Sequence, residues 1–149
     1  MHIYLGSDHG GYELKTLLNA SLQGEGVEVT DCGSQTFEPS DYPDYAVAVA
    51  KMVAEDPDNF GLLLCRSGEG MEMAANKIDG IRAALVWNEA VSMETRRDNN
   101  ANILVLPADF VTPALALVCV RRFLTTPFSG LPRHVRRLEK LAALESTNV

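Results

Sequence analysis

The fold class can be inferred from one central segment, Phe60-Gly61-Leu62-Leu63-Leu64-Cys65-Arg66-Ser67-Gly68-Glu69-Gly70-Met71. A short apolar run ends at Cys65, a turn containing two glycines follows, and the chain then continues into a helical segment through Ile78. An apolar run of this length, bounded by a turn and followed by a helix, is typical of a strand that is buried on both faces of a parallel sheet.

The same strand-turn-helix order repeats on both sides of this stretch. Four further apolar runs read as strands: HIYLGSD (2–8), VEVTDCG (27–33), RAALVW (82–87) and NILVLPA (102–108). Helices are predicted at 11–23, 41–56, 88–97 and 112–126, and a turn over 127–132 precedes a last helix over 133–145. This alternation predicts an α/β fold: one domain over 1–149, with a five-stranded parallel sheet, helices on both faces and an additional C-terminal helix.

Charge and composition narrow the classes of function. The chain has 149 residues, a formal net charge of −7 and no apolar run near the length of a membrane-spanning helix, so neither nucleic acid nor a membrane is an expected partner. Three widely spaced cysteines without a C-x-x-C pair read as reduced thiols, and no secretory signal is visible, so a cytoplasmic location is expected. Six of the 13 basic residues lie between Arg121 and Lys140, which suggests a local site for a small phosphorylated ligand.

Ligands of parallel α/β sheets bind at the carboxyl ends of the strands, so the loops there are the candidate site. The loop after Cys65 leads directly into a helix, whose free backbone N–H groups would stabilise an oxyanion. The same helix terminus should lower the pKa of the Cys65 thiol and make it a possible base. A buried packing role for Cys65 is the open alternative.

Three other polar residues fall in strand-end loops. Asp8 and His9 end the first strand, where a carboxylate and an imidazole could meet a sugar hydroxyl or phosphate, although Asp8 could also be a helix cap. Tyr42 could hydrogen-bond a sugar, but Asp41-Tyr42-Pro43 is equally explained as a helix start.

The last helix carries a basic face. Arg133, Arg137 and Lys140 are spaced by four and three, with Val135, Leu138 and Ala142 on the other face. A guanidinium pair suits a phosphate, although solvated basic faces are common. The asparagine-rich segment over 99–102 reads as a turn after a helix, and its spacing predicts no function.

Taken together, an ordered series of short segments resembles the type B ribose-5-phosphate isomerases and their galactose-6-phosphate relatives. The matching segments are Gly6-Ser7-Asp8-His9-Gly10-Gly11-Tyr12-Glu13-Leu14-Lys15, Asp41-Tyr42-Pro43, Cys65-x-Ser67-Gly68-x-Gly70-Met71, Ala74-Ala75-Asn76-Lys77, Gly80-Ile81-Arg82-Ala83-Ala84, Asn99-x-Ala101-Asn102 and Arg133-His134-x-x-Arg137.

The resemblance implies a Rossmann-like three-layer α/β/α sandwich that forms a homodimer or tetramer with active sites shared between subunits. It implies aldose–ketose isomerisation of a phosphorylated sugar through an enediolate, without metal or cofactor. Cys65 matches the base, and Ser67 matches a hydroxyl that assists it. The backbone N–H groups over residues 66–70, which include Arg66, Gly68, Glu69 and Gly70, match the oxyanion site. By the same resemblance, Asp8 and Tyr42 match sugar contacts, His9, Arg133 and Arg137 match phosphate contacts, and Asn99 matches a residue supplied by the partner subunit.

Four positions depart from the pattern of the family. Arg66 stands where glycine is usual, Glu69 where a small or apolar residue is usual, and Asp98 where a histidine associated with ring opening is usual. Asp109 stands where an arginine contacts phosphate from the partner subunit. These departures leave open whether the sugar is ribose 5-phosphate or another pentose, tetrose or hexose phosphate, and whether the chain is a non-catalytic sugar-phosphate-binding subunit. Retained Cys65 and Ser67 favour the enzyme.

Overall fold

The strand that ends at Cys65 lies in the middle of the sheet. A computed structural model describes residues 1–145. In that range the strands are β1 (His2–Ser7), β2 (Val29–Asp31), β3 (Asn59–Cys65), β4 (Ala83–Leu85) and β5 (Ile103–Pro107). The helices are α1 (Tyr12–Gly24), α2 (Tyr42–Ala54), α3 (Glu69–Ala75), α4 (Glu89–Asn99), α5 (Pro113–Thr125) and α6 (Pro132–Glu145), and one turn of 3₁₀ helix covers His9–Gly11.

All five strands run parallel, in the order β2-β1-β3-β5-β4. The predicted α/β fold with a five-stranded parallel sheet is therefore confirmed. The chain builds outward from β1 to one edge and then from β3 to the other, so the direction of winding reverses between β1 and β3. In doubly wound sheets this reversal opens a crevice at the carboxyl ends of the two strands.

Two apolar layers hold the helices against the sheet. On one face, α1 and α5 pack against the sheet around Leu18, Leu62 and Phe123, and on the other α2 and α3 pack around Val49, Leu63 and Met71. Alternate residues of β3 thus enter opposite layers, which explains why the whole strand is apolar. The result is the expected three-layer α/β/α sandwich.

The C-terminal helix α6 is present as predicted, but its sides differ from the expected pattern. His134 is its only buried residue, whereas Leu141 and Leu144 are 47% and 64% exposed. Arg137 and Leu138 line the same groove rather than opposite faces. The predicted separation of basic and apolar faces is therefore only partly correct, because α6 packs mainly against α4 and leaves apolar side chains uncovered within one chain.

The basic segment between Arg121 and Lys140 is also divided. Arg121 pairs with Glu25 and Arg122 with Glu89, each at 2.6 Å. These two arginines are therefore paired within the chain, and of this segment the basic residues of α6 remain as candidates for an anion. Within residues 1–145, no helix is long and apolar enough to cross a membrane.

Candidate active site

Cys65 lies at the point where the winding of the sheet reverses. Ser7 at the end of β1 is in register with Leu64, so Asp8 follows β1 beside the residue that ends β3. The side chain of Cys65 is 6% exposed, and its Sγ accepts a hydrogen bond from the backbone N–H of Gly68 at 3.1 Å. Gly68 has φ +80°, a left-handed conformation that lets the loop fold back onto the thiol.

The pKa of Cys65 moves opposite to the sequence prediction. Burial raises the pKa of this thiol, and the hydrogen bonds from the N–H groups of Met71, Gly68 and Ser67 offset only part of that rise. The negative charge of Asp8 raises the pKa further. The expectation of a lowered thiol pKa is wrong, because sequence shows the adjacent helix start but not the extent of desolvation.

A raised pKa predicts how alkylation of Cys65 depends on pH. The thiolate is the reactive form, so in the substrate-free protein the iodoacetamide rate should keep rising with pH beyond the ordinary thiol pKa of about 8.5. Peptide mapping by mass spectrometry at each pH would measure the alkylation of Cys65 separately from that of Cys32 and Cys119. A rate at Cys65 that levels off below pH 8 would contradict the assigned direction.

Asp8 and His9 are held by short local contacts. Asp8 Oδ1 accepts hydrogen bonds from the N–H groups of Gly10 at 2.9 Å and Gly11 at 3.3 Å, so the capping role left open by the sequence is present. The His9 N–H donates to Ser40 Oγ, and the Ser40 N–H donates to His9 Nδ1, both at 3.2 Å. Neutral His9 therefore carries its proton on Nε2, which leaves that nitrogen as a donor for an anion.

Tyr42 lies against the loop that follows Cys65. A Cβ atom placed on Gly70 would come within 2.7 Å of Tyr42 Cζ, so the ring packs directly over this glycine. Tyr42 is the first residue of α2 and is 38% exposed. The helix start left open by the sequence is present, with Asp41 at the N-cap position and Pro43 in the first turn, although the Asp41 side chain makes no capping hydrogen bond. The Tyr42 ring therefore lies where it could contact a ligand bound at the loop that carries Ser67, Gly68 and Gly70.

Arg66 and Asp109 pair with each other. Arg66 Nη1 lies 3.5 Å from Asp109 Oδ2, and the Asp109 N–H donates to the Arg66 carbonyl at 3.0 Å. The Arg66 side chain crosses over Gly10, so it lies between the β1 and β5 loops. The assignment of Asp109 to the side contributed by a partner subunit is therefore corrected, because this residue follows β5 at the same edge of the sheet as Cys65.

Glu69 is the first residue of α3 and is exposed. A carboxylate in this position stabilises the positive end of the helix. Its charge also lies in the loop where the sequence predicts oxyanion binding.

The remaining predicted residues form a second cluster at the opposite edge of the sheet. Helix α4 runs antiparallel to the strands and ends at Asn99, just before β5 begins at Ile103. The Gly61 N–H, near the start of β3, donates to the Asn102 carbonyl at 2.9 Å, which fixes this turn at the amino edge. Asn99 and Arg137 line a groove of about 580 Å³ there.

Asp98 is held in an ion-paired network at this edge. Arg97 Nε donates to Asp98 Oδ1 at 2.8 Å, and this contact, with smaller effects from His134 and Arg133, lowers the pKa of the Asp98 carboxyl. Arg133 Nε donates to His134 Nε2 at 3.2 Å, and His134 Nδ1 lies 2.7 Å from Ser129 Oγ. His134 therefore positions Arg133 and was not predicted as a site residue, although it lies inside the Arg133-His134-x-x-Arg137 segment.

The predicted site residues of one chain thus fall into two groups at opposite edges of its sheet, each a candidate half-site. The carboxyl-edge half-site holds Cys65, Ser67, Asp8, His9 and Tyr42, and the amino-edge half-site holds Asp98, Asn99, Arg133 and Arg137. With strands of up to seven residues, the two edges are separated by roughly 15 Å or more. Residues of the second half-site therefore cannot contact a substrate at Cys65 of the same chain.

Comparison with known proteins decides the family. The model of the "Ribose/Galactose Isomerase" family matches residues 3–141. The chain belongs to the ribose/galactose isomerase family. It is 42% identical to ribose-5-phosphate isomerase B of Mycolicibacterium paratuberculosis and 40% identical to that of Mycobacterium tuberculosis, with 99% of this chain and 94% and 92% of those proteins covered.

Solved structures of ribose/galactose isomerase family members agree with the fold. Ribose-5-phosphate isomerase B of Clostridium thermocellum superposes with a TM-score of 0.95 at 40% identity over 100% of both chains. The enzyme of Mycoplasma genitalium, solved with bound ribulose-5-phosphate, gives 0.94 at 38% identity over 99% of this chain and 97% of that one. These relatives are isomerases, which supports the enzymatic interpretation over the non-catalytic alternative.

Proposed function

We propose that this chain interconverts ribose 5-phosphate and ribulose 5-phosphate through an enediolate, with Cys65 as the base. The observation that carries the proposal is the buried Cys65 thiol at the reversal point of the sheet, under the N–H groups of the following loop and beside Asp8. Relatives across the whole length of the chain are named for the same reaction.

The carboxyl-edge half-site supplies the proton transfer. The Cys65 thiolate takes the proton from C2 of the open-chain aldose as the C1 carbonyl becomes an oxyanion, and the thiol then returns a proton to C1 as the C2 carbonyl forms. A thiolate with a raised pKa is a stronger base for this carbon acid, although less of it is present at neutral pH. Backbone N–H groups of the 66–70 loop stabilise the oxyanion, and the Ser67 hydroxyl moves the proton between O2 and O1.

Both half-sites contribute to binding. We propose that His9 Nε2–H binds the phosphate from the chain that supplies Cys65, while Arg133 and Arg137 bind it from a second copy. The geometry within one chain supports this arrangement, because the arginines and Cys65 lie at opposite sheet edges. A homodimer is the smallest assembly that closes such a site, and a tetramer would be a pair of these dimers.

Arg66 and Asp109 set the charge at the site entrance. An exposed ion pair of this kind is weak, on the order of 0–1 kcal/mol, so a substrate phosphate can draw Arg66 away from Asp109. We propose that Arg66 is a substrate-binding residue and that its pairing with Asp109 positions it before a substrate binds.

The free thiols of Cys32, Cys65 and Cys119 support a cytoplasmic location.

A panel of sugar phosphates tests the proposed function. Purified, EDTA-treated protein is assayed for isomerisation of aldose and ketose phosphates with four, five and six carbons. We expect the highest kcat/KM for the ribose 5-phosphate and ribulose 5-phosphate pair. Preferred turnover of a tetrose or hexose phosphate would reassign the substrate, and no turnover of any member would contradict the enzymatic function.

Asp98 should affect the opening of the sugar ring. With Arg97 lowering its pKa, Asp98 stays ionised at neutral pH, so it can accept the anomeric proton but cannot supply one to the ring oxygen. Asp98→Asn should therefore slow turnover of cyclic ribose 5-phosphate far more than turnover of acyclic ribulose 5-phosphate, provided that ring closure follows product release.

Glu94→Gln is the matched control for Asp98→Asn. Glu94 lies on the same helix, is exposed and is 4.0 Å from Arg97, so its loss removes a carboxylate that faces the same arginine but leaves Asp98 and His134 in place. We expect near wild-type rates in both directions for this variant. Equal slowing of the two directions by Asp98→Asn would remove Asp98 from ring opening.

A further inference from the structure

Two guanidinium groups converge on Asn100 at the amino edge of the sheet. Arg82 Nε donates to the Asn100 carbonyl at 2.8 Å, and Arg96 Nη1 donates to Asn100 Oδ1 at 2.8 Å and to the Ala101 carbonyl at 2.6 Å. Asn100 has φ +46° at the end of α4, so its backbone and side chain reach the two arginines from one turn. Neither arginine has a role in the proposed reaction.

Neither of these arginines, Arg82 and Arg96, has a salt-bridge partner within residues 1–145. Arg96 is only 9% exposed, lies between the rings of Phe60 and Phe123, and has a buried Nε without a hydrogen-bond partner. Burying a cation without an ion pair is costly, and only neutral oxygens and the two aromatic rings offset the charge of Arg96.

Nearby carboxylates do not remove this excess. Glu145 acts on Arg82 from the adjoining groove of α6, without a salt bridge, whereas the charge that shifts the pKa of Arg96 is the like charge of Arg82. Burial also lowers the pKa of both guanidinium groups, the direction expected for a cation that lacks a partner.

A cavity opens beside the two arginines. Its volume is about 280 Å³, and besides Arg82 and Arg96 it is lined by Asn100, Asn102 and the apolar residues Ala54 and Phe60 among others. This is room for a tetrahedral oxyanion with bound water. Arg133 and Arg137, which the proposed function assigns to the substrate phosphate, do not line it.

We propose that this cavity is a second anion site, which takes a small oxyanion of the phosphate class between Arg82 and Arg96. Planar guanidinium groups bind phosphate oxygens in pairs, and the anion would supply the missing negative charge. The bound anion would also hold the end of α4, because Asn100 lies between the two arginines and directly follows Asp98 and Asn99.

The test uses the full chain with Arg133→Ala and Arg137→Ala, so that the substrate phosphate site is weakened first. Thermal unfolding is measured with potassium phosphate against sodium chloride at equal ionic strength. Binding to the native state should raise Tm, on the order of 3 °C at phosphate well above its Kd. No rise beyond that in sodium chloride overturns the site.

A matched pair of variants places the binding in the cavity. Ala54 and Ala48 are both exposed on α2, but only Ala54 lines the cavity. Added to the double-alanine background, Ala54→Glu should abolish the phosphate-dependent rise in Tm by supplying an internal counter-charge, and Ala48→Glu should retain it. A rise that persists with Ala54→Glu puts the phosphate elsewhere and overturns the proposal.

Ribose 5-phosphate in the same variants distinguishes the source of the anion. If ribose 5-phosphate raises Tm as much as inorganic phosphate does, and Ala54→Glu abolishes that rise, the site takes phosphomonoesters. If only inorganic phosphate raises Tm, the site takes the free ion. A rise with ribose 5-phosphate that is unchanged by Ala54→Glu counts against the cavity as its binding site.

Discussion

Cys65→Ala should abolish exchange of the C2 proton of the substrate with solvent while phosphate binding stays nearly intact. The thiol is the only group in the carboxyl-edge half-site that the proposed mechanism uses as a base at carbon, and losing a positioned base costs roughly 10²- to 10⁴-fold in rate. His9 and the arginines of α6 do not contact Cys65, so the phosphate contacts should persist. The measurement is deuterium incorporation at C2, with a titration of a non-reacting phosphorylated sugar acid for binding.

The control for Cys65→Ala is Cys32→Ala. Cys32 is a half-buried thiol with a pKa also raised by burial, but it follows β2 at a position outside the 66–70 loop. We expect its loss to leave proton exchange unchanged. Undiminished exchange in Cys65→Ala would remove Cys65 as the base, and a parallel loss of phosphate binding would point to a collapsed loop rather than a missing base.

Mixing two inactive variants should restore activity. Cys65→Ala disables the carboxyl-edge half-site, and the double variant Arg133→Ala/Arg137→Ala disables the amino-edge half-site. If each site joins one half-site from each of two chains, a heterodimer of these variants contains one site with both defects and one intact site. After random reassortment of the subunits, about a quarter of the wild-type activity should return.

The controls for this experiment are variants within one half-site. Cys65→Ala mixed with Ser67→Ala should give no such recovery, because every reassorted site carries a defect. Arg136→Ala alone should keep most activity, since Arg133 joins the network of His134 and Asp98 and Arg137 lines the groove, whereas Arg136 does neither. If no activity returns although mass spectrometry shows that heterodimers form, the two half-sites do not meet across subunits.

The α/β fold could be predicted from the sequence, because the apolar runs ending near Ser7, Cys65 and Pro107 and the helical segments between them are local patterns. The sequence also indicated the family and the position of Cys65 in a glycine-containing loop, since turn chemistry is encoded in adjacent residues. Strand order was not predicted. In the sheet β5 lies next to β3 and β4 lies at the edge, and this order depends on contacts between residues far apart in the chain.

The positions of the predicted site residues at the two sheet edges, and the charges around them, are visible only in the tertiary structure. Asp98 and Arg137 match the same family site as Cys65, yet α4 and α6 place them at the far edge of the sheet, because a helix that returns antiparallel to its strands ends where the next strand begins. The pKa of Cys65 rises because β1 and the helices around β3 desolvate the thiol, and Arg66 meets Asp109 because β3 and β5 are neighbours in the sheet. These effects depend on burial and on contacts between distant residues, neither of which a local sequence pattern contains.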